Sequence, residues 1–274
     1  IRHEILAPDG TMVARLPDAV VAVAAEQRSG HEAEAVIASP RLWAVETPVL
    51  YRLVTTLHVA GALVDRHETP FGIRSVRFDA QQGFFLNERP LKLLGTCNHH
   101  DHAGVGTAIP DRLNAWRVEQ LQSMGSNAWR SAHNPPSESL LDACDALGML
   151  MIVEARLNSS DPEAMAQLER IVRRDRNHPC VILWSVGNEE PHQGKGRGAR
   201  ISAEMVRAVR ALDPTRPTTQ AFDNTFTEGA AREVDVIGFN YRIEQIEKFH
   251  QQVPDQPIIG SETGSTVATR GEYT

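Results

Sequence analysis

Apolar positions along the chain follow two regimes. Up to about residue 80 they come as short runs cut by turn signals; from Leu91 onward, short unbroken runs alternate with stretches of helical spacing. In the first regime Pro8-Asp9-Gly10 reads as a turn, and residues 20–25 form a valine-rich run. Residues 51–60 read as a strand that Gly61 breaks before Leu63-Val64-Asp65 resumes it, and residues 71–78 as a last strand. Trp43 and Pro48 mark the loop between the two halves. This spacing predicts a small β-sandwich over residues 1–80. Phe84-Phe85-Leu86, Asn87-Glu88 and the chain from Leu91 then read as a hairpin leading into a second domain, residues 81–274.

The second regime predicts βα units and a parallel sheet. Strands are expected at residues 91–97, 127–131, 149–153, 181–184, 218–222, 234–240 and 258–261. A helix opens at Pro110-Asp111 with Leu113, Trp116, Val118 and Leu121 facing inward, and Gly125 ends it. Ser137 caps a second helix carrying Leu140, Leu141, Cys144 and Leu147, closed by Gly148. Asp161-Pro162 starts a third, residues 198–212 form a fourth and residues 243–249 a fifth. The fold class is therefore α/β, a (β/α)8 barrel behind an all-β domain. Seven strands are found where closure takes eight, and none is read in residues 267–274. The expectation is a chain that stops inside the barrel, with residues 255–274 loosely held and no activity by itself.

Each predicted strand ends in polar side chains. In order they are Asn98-His99-His100-Asp101-His102; Arg130 with His133-Asn134; Glu154; Asn188-Glu189; Asp223-Asn224; Asn240-Tyr241; and Glu262. In a barrel of this type the carboxyl ends of the strands share one rim, where the chemistry is kept. Glu189 and Glu262 each follow a short apolar run, and two carboxylates on one rim are the minimum equipment for glycoside hydrolysis. Trp129 and Trp184 read as packing, Glu190 as a solvated neighbour, and His99 and His100 as structural or rim groups.

Composition narrows the partners. A net charge of −7 argues against nucleic acid, and no apolar run approaches the length of a membrane helix. The three cysteines, Cys97, Cys144 and Cys180, are too scattered for a disulfide framework and read as buried thiols. With Ile1 at its start, the chain leaves the compartment open.

The motifs at the strand ends resemble glycoside hydrolase family 2, most of all its β-galactosidase branch. The segments are Asn98 to His102 with Gly104 and Gly106, Asn127-Ala128-Trp129-Arg130 to Pro135, and Cys144-Asp145-Ala146-Leu147-Gly148. The most specific is Arg174-Asp175-Arg176-Asn177-His178-Pro179 running into Trp184-Ser185-Val186-Gly187-Asn188-Glu189. Asp235-Val236-Ile237-Gly238-Phe239-Asn240-Tyr241 and Ser261-Glu262 complete the set, over about residues 40–264. The resemblance implies an immunoglobulin-like sandwich, incomplete at its N-terminus, before most of a catalytic barrel. It implies Glu189 as general acid/base and Glu262 as nucleophile of a retaining exo-β-glycosidase. It further implies that Asn188 bonds a sugar hydroxyl, Tyr241 steadies the nucleophile, and Arg130 supports Glu262. By the same resemblance His102, His133 and Asn240 belong to the substrate-binding set. A carbohydrate is the expected partner, and a homo-oligomer of the longer protein is open. Some members bind magnesium through a Glu and a His after the third strand. Here Ala155, Arg156, Leu157, Asn158, Ser159 and Ser160 stand there, so no metal or other cofactor is expected.

Other readings stay open at this stage. Within the family these are β-glucuronidase and β-mannosidase; outside it, a non-catalytic carbohydrate-binding fragment. His100-Asp101-His102 also has the spacing of a metal-dependent amidohydrolase, but the fifth and sixth strands offer no further His ligands.

Overall fold

The computed structural model describes residues 1–264. Strand β1 (Arg2–Leu6) pairs antiparallel with β2 (Met12–Arg15) and with β3 (Tyr51–Val59), which pairs with β4 (Ala62–Phe71), giving a four-stranded sheet ordered β2-β1-β3-β4. Ile5, Leu16 and Tyr51 form the small core on one of its faces. Residues 20–25 make no strand: Val20 is fully exposed and no neighbouring strand offers them a ladder. Apolar composition alone does not make a strand without a pairing partner.

Strands β5 (Val76–Asp79), β6 (Gly83–Leu86) and β7 (Arg89–Pro90) form a three-stranded antiparallel floor beneath the barrel. The predicted strand at residues 71–78 is thus split, with residues 72–75 turned to another task. A side chain at Gly72 would meet Pro179 at 2.6 Å, so the backbone there rests directly on the barrel. Arg74 Nε and Nη2 donate to the carbonyls of Pro179 and Val181 at 2.9 and 2.5 Å.

The barrel sheet contains β8 (Gly95–His99), β9 (Ala128–Ala132), β10 (Leu150–Glu154), β11 (Val181–Asn188), β12 (Thr218–Phe222), β13 (Val236–Asn240) and β14 (Ile258–Glu262). All six pairings are parallel and the strands lie in chain order. The first strand starts later than the apolar run suggested, because Leu94 N is held by the Asn127 side chain before the ladder begins. The sixth also starts late, since Asp235 is spent on Thr218 N and Oγ1. Val181 to Trp184 are buried, as an unbroken apolar run between two parallel neighbours requires. The expectations for residues 267–274 lie outside the described residues.

Helices α1 (Asp111–Ser123), α2 (Glu138–Leu147), α3 (Pro162–Asp175), α4 (Gly196–Leu212) and α5 (Ile246–Gln252) cover the sheet. Ser137 Oγ accepts from Leu140 N and Asp161 Oδ1 from Glu163 N and Ala164 N, capping α2 and α3. Trp116 was expected inward but is 40% exposed. The inward face of α1 is set by Asn114, which bonds Ser137 and Ser139, and by Val118. Trp116 lies about 200° around the helix from Asn114 and so faces out.

Trp43 is more than a loop marker. It is completely buried against the barrel, and its Nε1 donates to Asp145 O at 2.9 Å. Asp145 in turn accepts from Cys180 N and pairs with His178 Nδ1 at 2.6 Å. One α2 residue thereby ties the first domain to the segment that feeds β11.

Candidate active site

The ends of β9, β10, β11, β13 and β14 deliver one connected group of polar side chains. At its base is Glu154, completely buried at the end of β10. Its Oε2 accepts from Arg130 Nη2 at 2.6 Å, Arg130 Nε at 3.1 Å and Ser185 Oγ at 2.8 Å, and its Oε1 lies 2.7 Å from His133 Nδ1. A buried carboxylate is tolerable only when paired and hydrogen-bonded on both oxygens, and Glu154 is. Ser185 stands opposite Glu154 in the β10–β11 register, so the ladder itself brings the hydroxyl to the acid.

Arg130 spreads its guanidinium over four groups. Besides Glu154 it reaches Asn188 Oδ1 at 2.7 Å, Glu262 Oε2 at 3.2 Å and Cys97 Sγ at 3.1 Å. Burial pulls its pKa down, but the charge and hydrogen bond of Glu154, with the charge of Glu262, outweigh that and hold it above the ordinary value. Burial pushes the Cys97 thiol up to about 11, so it lines the site as a neutral group.

Asn240, completely buried, joins the two carboxylates. Its Nδ2 lies 2.8 Å from Glu189 Oε1, 3.1 Å from Glu262 Oε2 and 3.0 Å from Asn188 Oδ1, while its Oδ1 accepts from Ser261 Oγ at 2.7 Å. The Glu189 and Glu262 oxygens are therefore no further apart than those 2.8 and 3.1 Å bonds laid end to end, about 5.9 Å. Tyr241 Oη donates to Glu262 Oε1 at 2.6 Å. Glu189 and Tyr241, each just past a strand, both adopt left-handed backbone with φ of 52° and 61°. Such conformations in non-glycine residues concentrate at functional sites.

Seven of the eight sequence-selected site residues thus meet: Arg130, His133, Asn188, Glu189, Asn240, Tyr241 and Glu262. The eighth, His102, stands apart. Its backbone bridges to Gly106, its Nδ1 lies 3.0 Å from Ala103 O and its ring meets the edge of Trp116. His99 packs its ring perpendicular to His133 with centroids 5.2 Å apart. Asp223 is tied to Gln193 and Asn224 instead of to the carboxylates. Glu190 is not a solvated neighbour: it is half-buried, its Oε1 accepts from Asn188 N, and burial pushes its pKa up. Trp129 and Trp184 are buried in the packing, as read. Sequence reasoning overlooked Ser185, Ser261 and Cys97; the available signal was their position opposite, or next to, a strand-end carboxylate or arginine.

Among the described residues no three His, Cys, Asp or Glu side chains stand arranged to hold a metal ion. After Glu154, Asn158 Nδ2 donates to Val186 O at 2.8 Å.

A parallel α/β barrel with paired glutamates at the ends of β11 and β14, preceded by a four-stranded antiparallel sheet, defines the class. The profile described as "Glycosyl hydrolases family 2, TIM barrel domain" matches residues 79–163 and 158–274, and that described as "Glycosyl hydrolases family 2" matches residues 1–74. The chain belongs to glycosyl hydrolase family 2. It is 33% identical to beta-galactosidase BoGH2A of Bacteroides ovatus, over 96% of this chain and 38% of that protein. The crystal structure of a family 2 member from Bacteroides cellulosilyticus superposes with a TM-score of 0.84 at 35% identity, covering 95% of this chain and 37% of the other. Bacteroides uniformis beta-glucuronidase 2, covalently bound to cyclophellitol-6-carboxylate aziridine, superposes at 0.82 with 32% identity, covering 95% and 35%. The chain therefore spans little more than a third of the length of these relatives.

Proposed function

We propose that this chain carries the catalytic site of a retaining exo-β-glycosidase that acts on terminal β-galactosides. The observation that carries the reading is the Asn240 amide lying between Glu189 and Glu262, which limits their nearest oxygens to about 5.9 Å. Retaining enzymes hold their carboxyl groups about 5–5.5 Å apart, whereas inverting ones leave about 6.5–9.5 Å for a water.

Glu262 attacks the anomeric carbon as the glycosidic bond breaks, and Glu189 gives its proton to the departing oxygen. A covalent glycosyl ester on Glu262 results. Glu189, now a carboxylate, takes a proton from water as that water displaces the ester, restoring both groups. Arg130, Asn240 and Tyr241 fix the Glu262 carboxylate by donors on both oxygens. Asn188, held by Arg130 and Asn240, is placed to meet a sugar hydroxyl. No metal enters this scheme.

The choice of galactoside leans on the similarity to the Bacteroides ovatus enzyme. β-Glucuronide is the second reading, favoured by the similarity to the Bacteroides uniformis structure, whose covalently bound aziridine also supports a covalent intermediate. The deciding experiment uses the full-length protein on nitrophenyl β-galactoside, β-glucuronide and β-mannoside, with nuclear magnetic resonance of the first sugar released. Preferred cleavage of the galactoside with retained configuration is expected. Preference for the glucuronide overturns the substrate, an inverted anomer overturns the mechanism, and binding without turnover of any of them leaves a carbohydrate-binding module.

A further inference from the structure

His133 reaches the site with only one of its ring nitrogens engaged. Nδ1 lies 2.7 Å from Glu154 Oε1, while Nε2, on the part-exposed side of the ring, has no hydrogen-bond partner among the described residues. Which nitrogen carries the proton is set by the bond the other atom makes. Two groups compete for Nδ1. The Arg130 Nη2 donor stands 3.5 Å away, the outer limit of a hydrogen bond, and is already spent on Glu154 at 2.6 Å and Asn188 at 2.7 Å. The Glu154 carboxylate is close and needs a donor on Oε1. The short contact is therefore Nδ1–H donating to Oε1.

We propose that Glu154 is a positioning residue that holds His133 as the Nδ1–H tautomer, so that Nε2 faces the substrate as a hydrogen-bond acceptor for a sugar hydroxyl. This rests on the reading of the site as a glycosidase. The arrangement around Glu154 makes the assignment unusually sharp. Three donors, Arg130 Nε, Arg130 Nη2 and Ser185 Oγ, converge on Oε2 alone. Oε2 must be an acceptor, and Oε1 is left entirely to His133. Glu154 also takes up part of the Arg130 charge that otherwise falls on Glu262.

The same asymmetry supplies the test. In Glu154→Gln the amide oxygen must occupy the Oε2 place, because three donors point there. The amide NH2 group then faces His133 Nδ1, which has to become an acceptor and move its proton to Nε2. The substitution keeps size and shape and reverses the tautomer, turning the substrate-facing acceptor into a donor. A carboxylate-to-amide change beside a catalytic histidine in serine proteases lowers kcat about 10⁴-fold by this route. For a binding histidine the expected loss in kcat/KM is between about 10²- and 10⁴-fold.

Neutron diffraction of the full-length protein reads the proton directly. Deuterium on His133 Nδ1 in the parent and on Nε2 in Glu154→Gln, with the stated loss of turnover, is the expected result. Deuterium on Nε2 in the parent overturns the proposal, and that map needs no variant to fold. So does Glu154→Gln with parent-like kcat/KM. As a second readout, a panel of monodeoxyfluoro glycosides compares parent with variant. One fluorine, which cannot donate, costs the parent rate but adds no further loss to Glu154→Gln. If every fluorine costs parent and variant alike, Nε2 accepts from no sugar hydroxyl and the proposal falls. A parent that shows Nδ1 deuterated yet cleaves no β-glycoside fails the glycosidase reading, and with it the role given to Nε2, while its Glu154–His133 bond stands.

Discussion

Arg130 Nη1 lies 3.2 Å from Glu262 Oε2, although 132 positions separate the two residues in sequence. Their strands, β9 and β14, are five places apart in the sheet, which would be about 24 Å if the sheet were flat. Only a sheet that curls nearly into a ring brings an arginine across that gap. The contact is thus a product of the barrel, and it couples the candidate nucleophile to Glu154 through a single guanidinium.

That coupling predicts the cost of breaking it. Arg130→Met leaves Glu154 buried with only His133 and Ser185, and removing one partner of a buried ion pair costs about 3–5 kcal/mol. Adding Glu154→Leu removes the stranded charge, so the double variant is expected to be more stable than the sum of the single losses. Chemical denaturation of the full-length protein, followed by tryptophan fluorescence, measures both. A single-variant loss below about 1 kcal/mol would mean that Glu154 finds other solvation.

The junction between domains makes a second prediction. Trp43 is fully buried and hydrogen-bonds Asp145 O. Trp43→Ala removes packing worth about 3–5 kcal/mol and orphans a buried carbonyl. Trp43→Phe keeps most of the packing and loses chiefly the bond, about 1–3 kcal/mol. Nearby Gly148 sits at φ 78°, and a side chain there would meet Val45 O at 2.1 Å. Gly148→Ala is therefore expected to destabilise through both strain and collision. Thermal unfolding of the three variants should rank Trp43→Phe as the mildest; equal midpoints for Trp43→Phe and Trp43→Ala would show that the indole bond, not the packing, carries the junction.

Much of this architecture was readable because buried parallel strands write themselves as unbroken apolar runs. Residues 218–222 were read with the same limits the structure shows for β12. Residues 20–25 show the converse: a valine-rich run makes no strand where nothing pairs with it, and Val20 is fully exposed. Trp116 misled because its direction depends on what Asn114 bonds across the helix pair. At the site, strand-end positions marked the carboxylates and amides, but not how they join. Nothing near Glu154 in the sequence announces complete burial; its charge is met by Arg130 from one strand before and Ser185 from one strand after. His102 entered the set by resemblance alone, and nothing in the sequence told that its ring packs against Trp116.

His178 gives a pH prediction with a definite sign. Burial works against its charged form, but the hydrogen bond and charge of Asp145, with Asp175 and Asp142, outweigh burial and raise its pKa above the ordinary 6.5. A raised folded-state pKa means that the fold favours the protonated ring. The stabilisation is complete below about pH 6.5, where the unfolded chain is also protonated, and is lost as pH rises through the folded value. His178→Gln should therefore cost most stability at acidic pH, and the gap to the parent should narrow on the alkaline side. Denaturation midpoints of both proteins from pH 5.5 to 9 test this. A gap that widens with pH would mean that His178 is held neutral.

The amide of Asn240 offers the most direct test of how the two glutamates share one space. Its nitrogen is the donor common to Glu189 Oε1 and Glu262 Oε2, and its oxygen is occupied by Ser261. Asn240→Ala removes the donor and leaves a gap; kcat/KM should fall by about 10- to 10²-fold, with little change in the shape of the pH profile. Asn240→Asp keeps the shape but places a third carboxyl within about 3 Å of both glutamates. Like charges at that distance cannot all remain ionised, so one proton must be held by the trio over a wider pH range. With its proton on the new group, the variant can still donate one hydrogen bond and partly stand in for the amide. With that proton gone, it repels both glutamates. Activity of Asn240→Asp should therefore be at least about 10²-fold below the parent at neutral pH and recover toward it as pH is lowered, a recovery that Asn240→Ala lacks. Full pH profiles of the two variants in the full-length protein decide the matter. Superimposable profiles would show that the amide only fills space, whereas an acid-side recovery confined to Asn240→Asp would show that a hydrogen on that atom holds the carboxylates in their working separation.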